Sequence, residues 1–547
     1  MPVPGTTHRS SPSLGEAREG RLLADRNPRR VVELVVAVSA LLGVGVIVFG
    51  PHVLHGGFYS DDWADAARYH FADSPRYWSS FRGFQHNSGG RPLLALIRPT
   101  PHALFGQNAS LHLGLALALG VLTAACLYLA LRTLGVARLH AWWIAMLALL
   151  FPWADSIRLW PSASLNNVAV CFYLLGVVIA IKGLRLRGAV SYAVHGAAVL
   201  LYVASVLTYE VAAATALLTG FLYLGRARTS TAVHRWAADV VAVGGALMYD
   251  LLATSGTKPV GSFGQRIADI PTFIRQSFSL LSLSLFPFGT SSAAKAAVLL
   301  LAAAILGVAL VRFRRGVAPW LQPWLLAVLG GVIVIASAYF MLLGSYLDPL
   351  DDGISNRGNI VAGIGFVILV YSLTGIGARL VAGEGRAGVA VGLAVAGLIA
   401  VGYGIRVNHD ESDWRRSTLW QRRVLAVSDQ VLPRLPHRAT ILTFGVPAMI
   451  SSGPPIFNET WDLHGAVELD RNDPSLRAFP IYTGVRVICH ADRLSISARG
   501  EYNVPTVLYG RIFFLDIPGR RVERVRNRTA CRAALDGFRP GPLTAPA

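Results

Sequence analysis

Long apolar runs alternate with short polar loops along most of this chain. Runs near residues 31–54, 109–131, 139–153, 165–183, 190–208, 210–225, 236–254, 293–312, 320–344, 359–378 and 387–406 have the length and apolar content of membrane-crossing helices. The pattern predicts eleven spans, the third short and the fifth and sixth divided only by Tyr209 and Glu210. Two further stretches are amphipathic. The loop 55–108 carries Trp63, Tyr69, Phe71, Tyr77, Trp78 and Phe81, which suits short helices lying in the membrane interface. The segment 273–288, ending in Phe286-Pro287-Phe288, suits a second interfacial helix.

After residue 406 the pattern changes. A polar, helix-compatible stretch (410–432) precedes short β-like runs at 440–444, 485–489, 494–498, 504–509 and 511–515. The predicted fold is an all-α polytopic membrane bundle of about eleven helices with a C-terminal α/β or β-rich domain. Its expected organisation is a basic tail (1–30), a multi-spanning domain (31–406) and a C-terminal domain (407–547).

Composition agrees with a membrane protein: 53% hydrophobic residues and 15% charged leave too little polar surface to enclose a soluble globule. A net charge of +19 raises nucleic acid as a partner. The arginines, however, sit mainly in short loops between spans, as the positive-inside rule requires, and no nucleic-acid partner is expected. With the N-terminus cytoplasmic, the inner loops hold Arg132 and Arg138; Lys182, Arg185 and Arg187; Arg226, Arg228 and Arg235; Arg312, Arg314 and Arg315; and Arg379 and Arg386. Eleven spans then leave the C-terminal domain extracytoplasmic, where Cys489 and Cys531 can pair, while Cys126 and Cys171 fall inside spans. Lys182, Lys258 and Lys295 are the only lysines, a bias that suggests a GC-rich bacterial genome and hence the bacterial plasma membrane. Residues 1–30 read as a cytoplasmic tail and signal anchor, since no small-residue cleavage site follows the first run.

On this topology the polar residues least explained by solubility gather on the outer face. Asp61 and Asp62 follow span one, Arg91 lies later in that loop, and Asp155 and Arg158 follow span three. Tyr209 and Glu210 mark the turn after span five, Asp250 sits in span seven, and Asp348, Asp351, Asp352 and Arg357 join spans nine and ten. Ionisable groups at a membrane are costly unless used or paired, so the asymmetry points to an outward-facing site.

The run Tyr59-Ser60-Asp61-Asp62-Trp63, then Gly90-Arg91-Pro92-Leu93, Leu104-Phe105-Gly106 and His112, resembles the GT-C superfamily of membrane glycosyltransferases over roughly residues 31–380. Where an Asn often follows the His by three positions in that superfamily, this chain has Leu115. The resemblance implies a polyprenyl-phosphate-linked sugar donor, a glycan, lipid or protein acceptor in the cell envelope, and inversion at the sugar carbon. It also implies an acidic base just after span one, which here is Asp61 or Asp62.

The chemistry fits that implication. A sugar phosphodiester has a good leaving group, so the reaction needs a carboxylate to take the acceptor's proton and cations to hold the departing phosphate. Arginine donates bidentately and stays charged, which makes Arg357, then Arg91 and Arg158, the candidate phosphate ligands. Tyr209 and Glu210 sit where some branches of the superfamily carry a short acidic outer turn, and the resemblance implies a place for them beside the substrate. Two adjacent carboxylates can also shift each other's pKa, orient the acceptor, or bind a divalent cation (Mg, Mn or Ca). No Cys/His cluster suggests zinc.

Plainer alternatives stand beside each residue. Ser60-Asp61-Asp62 is also a good helix start, Glu210 can cap a span, Asp250 can bond within the bundle, and Asp351-Asp352-Gly353 is an ordinary turn. Alternatives for the whole chain are a polyprenyl-linked glycan ligase or polymerase, a lipid or glycan transporter or flippase, and an adhesin-like binding protein. A ligase would place its long outer loop late, and transporters tend to show repeated spans and mid-membrane charges.

Overall fold

Most of the predicted apolar runs are built into helix, and so is most of the loop that follows the first. The computed structural model describes residues 28–88, 90–254, 263–289, 291–344, 352–451, 453–497 and 506–545. In chain order the helices are α1 (Pro28–His55), α2 (Asp61–His70), α3 (Arg76–Ser88), α4 (Pro92–Ile97), α5 (Thr100–Phe105), α6 (Ala109–Leu134), α7 (Arg138–Leu150), α8 (Ser156–Leu159), α9 (Pro161–Ser164) and α10 (Asn166–Gly183). They continue as α11 (Gly188–Thr208), α12 (Ala213–Leu217), α13 (Thr229–Thr254), α14 (Phe263–Leu285), α15 (Ser292–Arg314), α16 (Gln322–Phe340), α17 (Ile360–Ala382) and α18 (Arg386–Val431). Helices α19 (Asp462–Arg471) and α20 (Arg528–Gly537) belong to the C-terminal domain. The predicted residues Asp348 and Asp351 lie outside the described residues, as does most of the basic N-terminal tail.

Among the described residues, nine helices are long and apolar enough to cross a membrane, so the chain is a multi-pass membrane protein. The other two predicted spans differ for identifiable reasons. The third stops at Leu150 because Pro152 cannot continue the ladder and forces Phe151 out of helical geometry (ψ 110°). The sixth is not one helix but a 3-10 turn (Glu210–Ala212), α12, and a second 3-10 turn (Thr219–Leu222). The indole of Trp236 donates to the carbonyl of Leu217 at 2.7 Å, satisfying one of the acceptors left free where α12 ends. The segment predicted to be interfacial is longer than expected, beginning at Phe263. Its Phe263, Ile267, Ile270, Ile274 and Phe278 are exposed at helical spacing, as an apolar face turned to lipid would be.

Helices α16 and α17 come close because glycines face each other: a Cβ on Gly331 would fall 2.8 Å from the Gly365 carbonyl, and one on Gly365 2.7 Å from the Gly331 carbonyl. The last helix, α18, does not stop at the predicted domain boundary. It runs 46 residues without a break from the bundle into the C-terminal domain.

That domain is α/β. A four-stranded sheet has the order β3-β1-β7-β8, with β1 (Thr440–Phe444) parallel to β3 (Arg477–Pro480) and β7 (Ile512–Asp516), and β8 (Arg521–Val525) antiparallel to β7. All five residues of β1 are buried, as a central parallel strand covered on both faces must be. A second antiparallel sheet orders β4 (Arg486–Cys489), β5 (Arg493–Ser497) and β6 (Thr506–Leu508), and Cys489 is disulfide-bonded to Cys531 on α20. The short strands β2 (Met449–Ile450) and β9 (Thr544–Ala545) pair with each other.

Helix α19 lies on α2, the helix that opens with the acidic pair. Gly465 makes this possible, since a Cβ there would sit 2.6 Å from the Trp63 carbonyl and 2.9 Å from the Ala64 Cα. Trp63 also packs against the C-terminal core of Val424, Ile441, Leu463 and Ala466. The C-terminal domain is therefore seated on the loop that follows α1.

Candidate functional site

The acidic pair opens α2 from a tight backbone turn: Ser60, buried, has φ 44° and ψ −115°, a region non-glycine residues rarely occupy. Successive residues on a helix point about 100° apart, so the two carboxylates diverge. Asp62 is 2% exposed and accepts from two backbone N–H groups, Tyr59 N at 2.9 Å and Ser162 N at 2.8 Å. Burial pushes its carboxyl up to about 8 despite those two bonds. Asp61 faces outward, its side chain 36% exposed, and is held by Arg98 Nη2 at 3.3 Å and by the indole Nε1 of Trp461 at 2.9 Å.

Asp65, one helical turn after Asp61, bonds the same guanidinium through Arg98 Nε. Burial pushes Asp65 up to about 6, against the pull of Arg98. Arg98 is thus braced by two carboxylates. Neither Arg98 nor Trp461 was among the residues predicted for the site. The 61/65 spacing on a helix was the signal that the pair to examine was Asp61 with Asp65. Nothing local in the sequence ties Trp461 to a residue 400 positions earlier.

Arg357 is joined to this motif through one tryptophan. Trp160 Nε1 donates to the Tyr59 carbonyl at 3.0 Å, and the Arg357 guanidinium lies 5.1 Å from the Trp160 ring centroid. Arg357 Nη1 also donates to the Ile354 carbonyl at 2.6 Å. The segment that carries Arg357 is anchored by Asn356, which donates to Asp155 Oδ1 at 2.7 Å and accepts from Ser156 N at 3.1 Å. Burial, with the Asp410 carboxyl nearby, pushes Asp155 well above the usual carboxylate range.

Arg91, Tyr209 and Glu210 form a second cluster. Arg91 makes a two-pronged ion pair with Glu210, Nε to Oε2 at 2.7 Å and Nη2 to Oε1, and its guanidinium stacks 4.4 Å from the Tyr209 ring centroid. Helix α4 spans the distance in sequence from Arg91, its N-cap, to Arg98, its C-cap. Gly90 lies against the buried Asp250, whose Oδ1 would be 1.9 Å from a Cβ at that position.

Arg158 is not brought to either cluster. Its side chain, 4% exposed, turns into the bundle between α1 and α6, where it donates to the Phe151 carbonyl at 2.6 Å and lies 5.4 Å from the Phe49 ring centroid. His112 bonds the Gly106 carbonyl at 3.0 Å and packs its ring on His102 and Phe58, which pins the turn after α5 to the start of α6. Burial drives His102 down to about 3, so that ring is neutral.

The divergent carboxylates of Asp61 and Asp62 engage different partners, and among the described residues no group of three or more His, Cys, Asp or Glu is placed to hold a metal ion.

An apolar cavity of about 460 Å³ opens between α14, α16 and α17, lined by Ile270, Phe273, Phe278, Val332, Tyr339 and Phe366 among others. Tyr339, on its wall, donates to Asn359 Oδ1 at 3.1 Å, two residues from Arg357.

No family model matches the chain, and no curated protein matches it. Among solved structures it is similar to ArnT from Cupriavidus metallidurans in the apo state, with 13% identity over 80% of this chain and 89% of that one and a TM-score of 0.42. The same ArnT bound to undecaprenyl phosphate gives 13% identity over 81% and 89%, with a TM-score of 0.41. The Archaeoglobus fulgidus oligosaccharyltransferase, tethered with an acceptor peptide, gives 12% identity over 83% of this chain and 64% of that one, with a TM-score of 0.39.

Proposed function

We propose that this protein is a GT-C-type membrane glycosyltransferase that moves a sugar from a polyprenyl-phosphate donor to a glycan, lipid or protein of the cell envelope, on the outer face of a bacterial plasma membrane. The observation that carries the reading is Asp61. It is the half-exposed member of the acidic pair, held between a cation of the first outer loop and an indole of the C-terminal domain.

Asp61 is the base in this reading and Asp62 a positioning residue. An acceptor hydroxyl attacks the anomeric carbon from the side opposite the phosphate, its proton passes to Asp61, and the bond from carbon to phosphate oxygen breaks. The configuration inverts and the polyprenyl phosphate leaves. Arg357 is suited to receive that phosphate because its guanidinium is stacked on Trp160, which is bonded to the acidic loop. The cavity behind Tyr339 offers an apolar path for the lipid tail, beginning two residues from Arg357. Arg91, with its charge shared by Glu210, shapes the other flank of the site. Arg158 has no part in it. The C-terminal domain, seated on α2 through α19 and Trp461, closes the acceptor side.

The test is transfer of radiolabelled sugar from a panel of polyprenyl-phosphate donors by the purified full-length protein beside Asp61→Asn and Asp62→Asn. Asp61→Asn should lower turnover by about 10²- to 10⁴-fold with donor still bound. Asp62→Asn should act through stability. Wild-type turnover in Asp61→Asn removes the proposed mechanism, and no transfer from any donor by folded wild type removes the enzyme reading.

A further inference from the structure

The end of the bundle that carries Arg29 holds a groove with different chemistry. Helix α1 is 28 residues long, about 40 Å at 1.5 Å per residue, so the arginine rim of this groove lies nearly a full helix length from the acidic motif. It is a cavity of about 930 Å³ between α1, α6 and α7. Arg29, Arg30, Arg132 and Arg138 stand at its rim with a single carboxylate, Glu33.

That carboxylate is already engaged. Glu33 Oε1 accepts from Tyr128 OH and from Arg132 Nε, each at 2.6 Å, and Arg132 Nη1 is turned to the Val136 carbonyl at 2.7 Å. Among the described residues no carboxylate is paired with Arg30 or Arg138, both exposed at the mouth of the groove. Below the arginines the walls are apolar: Val32, Val36, Ala37 and Ala40 on α1, Leu139 and Trp142 on α7. Charge therefore sits at one level and hydrocarbon-compatible surface beneath it, the profile of a lipid standing upright in one leaflet.

We propose that this groove binds one anionic diacyl phospholipid, its phosphodiester between Arg30 and Arg138 and its chains against the α1 and α7 walls. The charge complementarity selects an anionic headgroup over a zwitterionic one, since a guanidinium pair gains from a phosphate whose charge no local ammonium cancels. Two facing apolar walls suit two chains. The site is too far from Asp61 to be the donor's reactive position, and the inference does not depend on the glycosyltransferase reading. Its role is structural: the lipid would fill the space between the first and third predicted spans, next to the Glu33–Arg132 ion pair and the Tyr128 bond to Glu33 that tie α1 to α6.

Native mass spectrometry of the full-length protein, released from nanodiscs of phosphatidylcholine doped with phosphatidylglycerol, tests this. Wild type should retain one phosphatidylglycerol and no phosphatidylcholine. Arg30→Gln with Arg138→Gln should weaken that binding about 30-fold, taking about 1 kcal/mol for each basic group. Ala40→Trp keeps every charge but fills the groove, and it should also lose the retained lipid. If the charge variant melts abnormally, Ala40→Trp decides by itself. Equal phosphatidylglycerol retention in Ala40→Trp and wild type overturns the proposal. So does displacement of the bound lipid by an equimolar polyprenyl monophosphate, which would make the groove a single-chain site.

Discussion

The indole N–H of Trp461 donates to Asp61 Oδ1 at 2.9 Å, so a residue of the C-terminal domain holds the carboxylate that opens α2. A charged acceptor bonded by a fixed donor is both oriented and kept from swinging toward Arg98 alone, which approaches the other oxygen at 3.3 Å.

Trp461→Phe keeps the ring and removes the donor. On the glycosyltransfer reading it should lower kcat about tenfold, about 1.4 kcal/mol, with donor KM unchanged. Steady-state kinetics check it; a change in KM alone would mean that Trp461 contacts substrate rather than the base.

Asp62 gives a pH dependence with a definite sign. Folding raises its pKa from the ordinary 3.8 to about 8, so the folded state holds the proton more tightly. Its favourable contribution is complete below about pH 4 and is lost as pH rises through about 8, with a slope of at most about 1.4 kcal/mol per unit. Asp65 and Asp462, pushed up to about 6 and about 7, act in the same direction, so the informative quantity is the difference between wild type and variant. Thermal unfolding in detergent from pH 5 to 9 should fall more steeply for wild type than for Asp62→Asn. Parallel curves would mean that this carboxyl is solvated.

Gly465→Val would place side-chain atoms where the Trp63 carbonyl and Ala64 Cα now lie, 2.6 and 2.9 Å from the Cβ position. Backbone cannot yield as a side-chain tip can, so α19 must lift from α2 at a cost of about 1–3 kcal/mol. Limited proteolysis between residues 432 and 462 should become faster than in wild type, and unchanged cleavage would show that the two helices are not held together.

Ser60 has φ 44° without being glycine. Ser60→Gly relieves that strain and should raise stability by about 1 kcal/mol, part of the gain being offset by the freer unfolded chain. A lower melting temperature would mean that the hydroxyl makes a needed bond.

How much of this was legible in the chain depends on the range of the forces involved. Spans such as 359–378 could be located because a bilayer imposes length and apolarity on a contiguous stretch, and Cys489 and Cys531 stood out as the two cysteines away from the spans. The break at Leu217 could not, because the partner that satisfies its free carbonyl is an indole 19 residues away on another helix. The clustering of Arg91 with Tyr209 and Glu210 was foreshadowed only by their sharing one face. Arg158 shared that position too, yet one turn of α8 and the Phe151 carbonyl send it inward. Asp61 and Asp62 are alike in sequence, and much of what separates them is distant: the amide of Ser162, 100 residues on, bonds the buried Asp62, while Trp461, 400 residues on, bonds the more exposed Asp61.

The unbroken α18 has a mechanical consequence. At 1.5 Å per residue its 46 residues measure about 69 Å, more than twice the hydrocarbon thickness, so it is a rigid strut that fixes both the height and the azimuth of everything mounted on it. One residue inserted above the bilayer would turn the mounted domain by about 100° and swing Trp461 off Asp61. Seven would restore the bearing to within about 20° yet raise the domain by about 10 Å, leaving an aligned lid that no longer touches its seat.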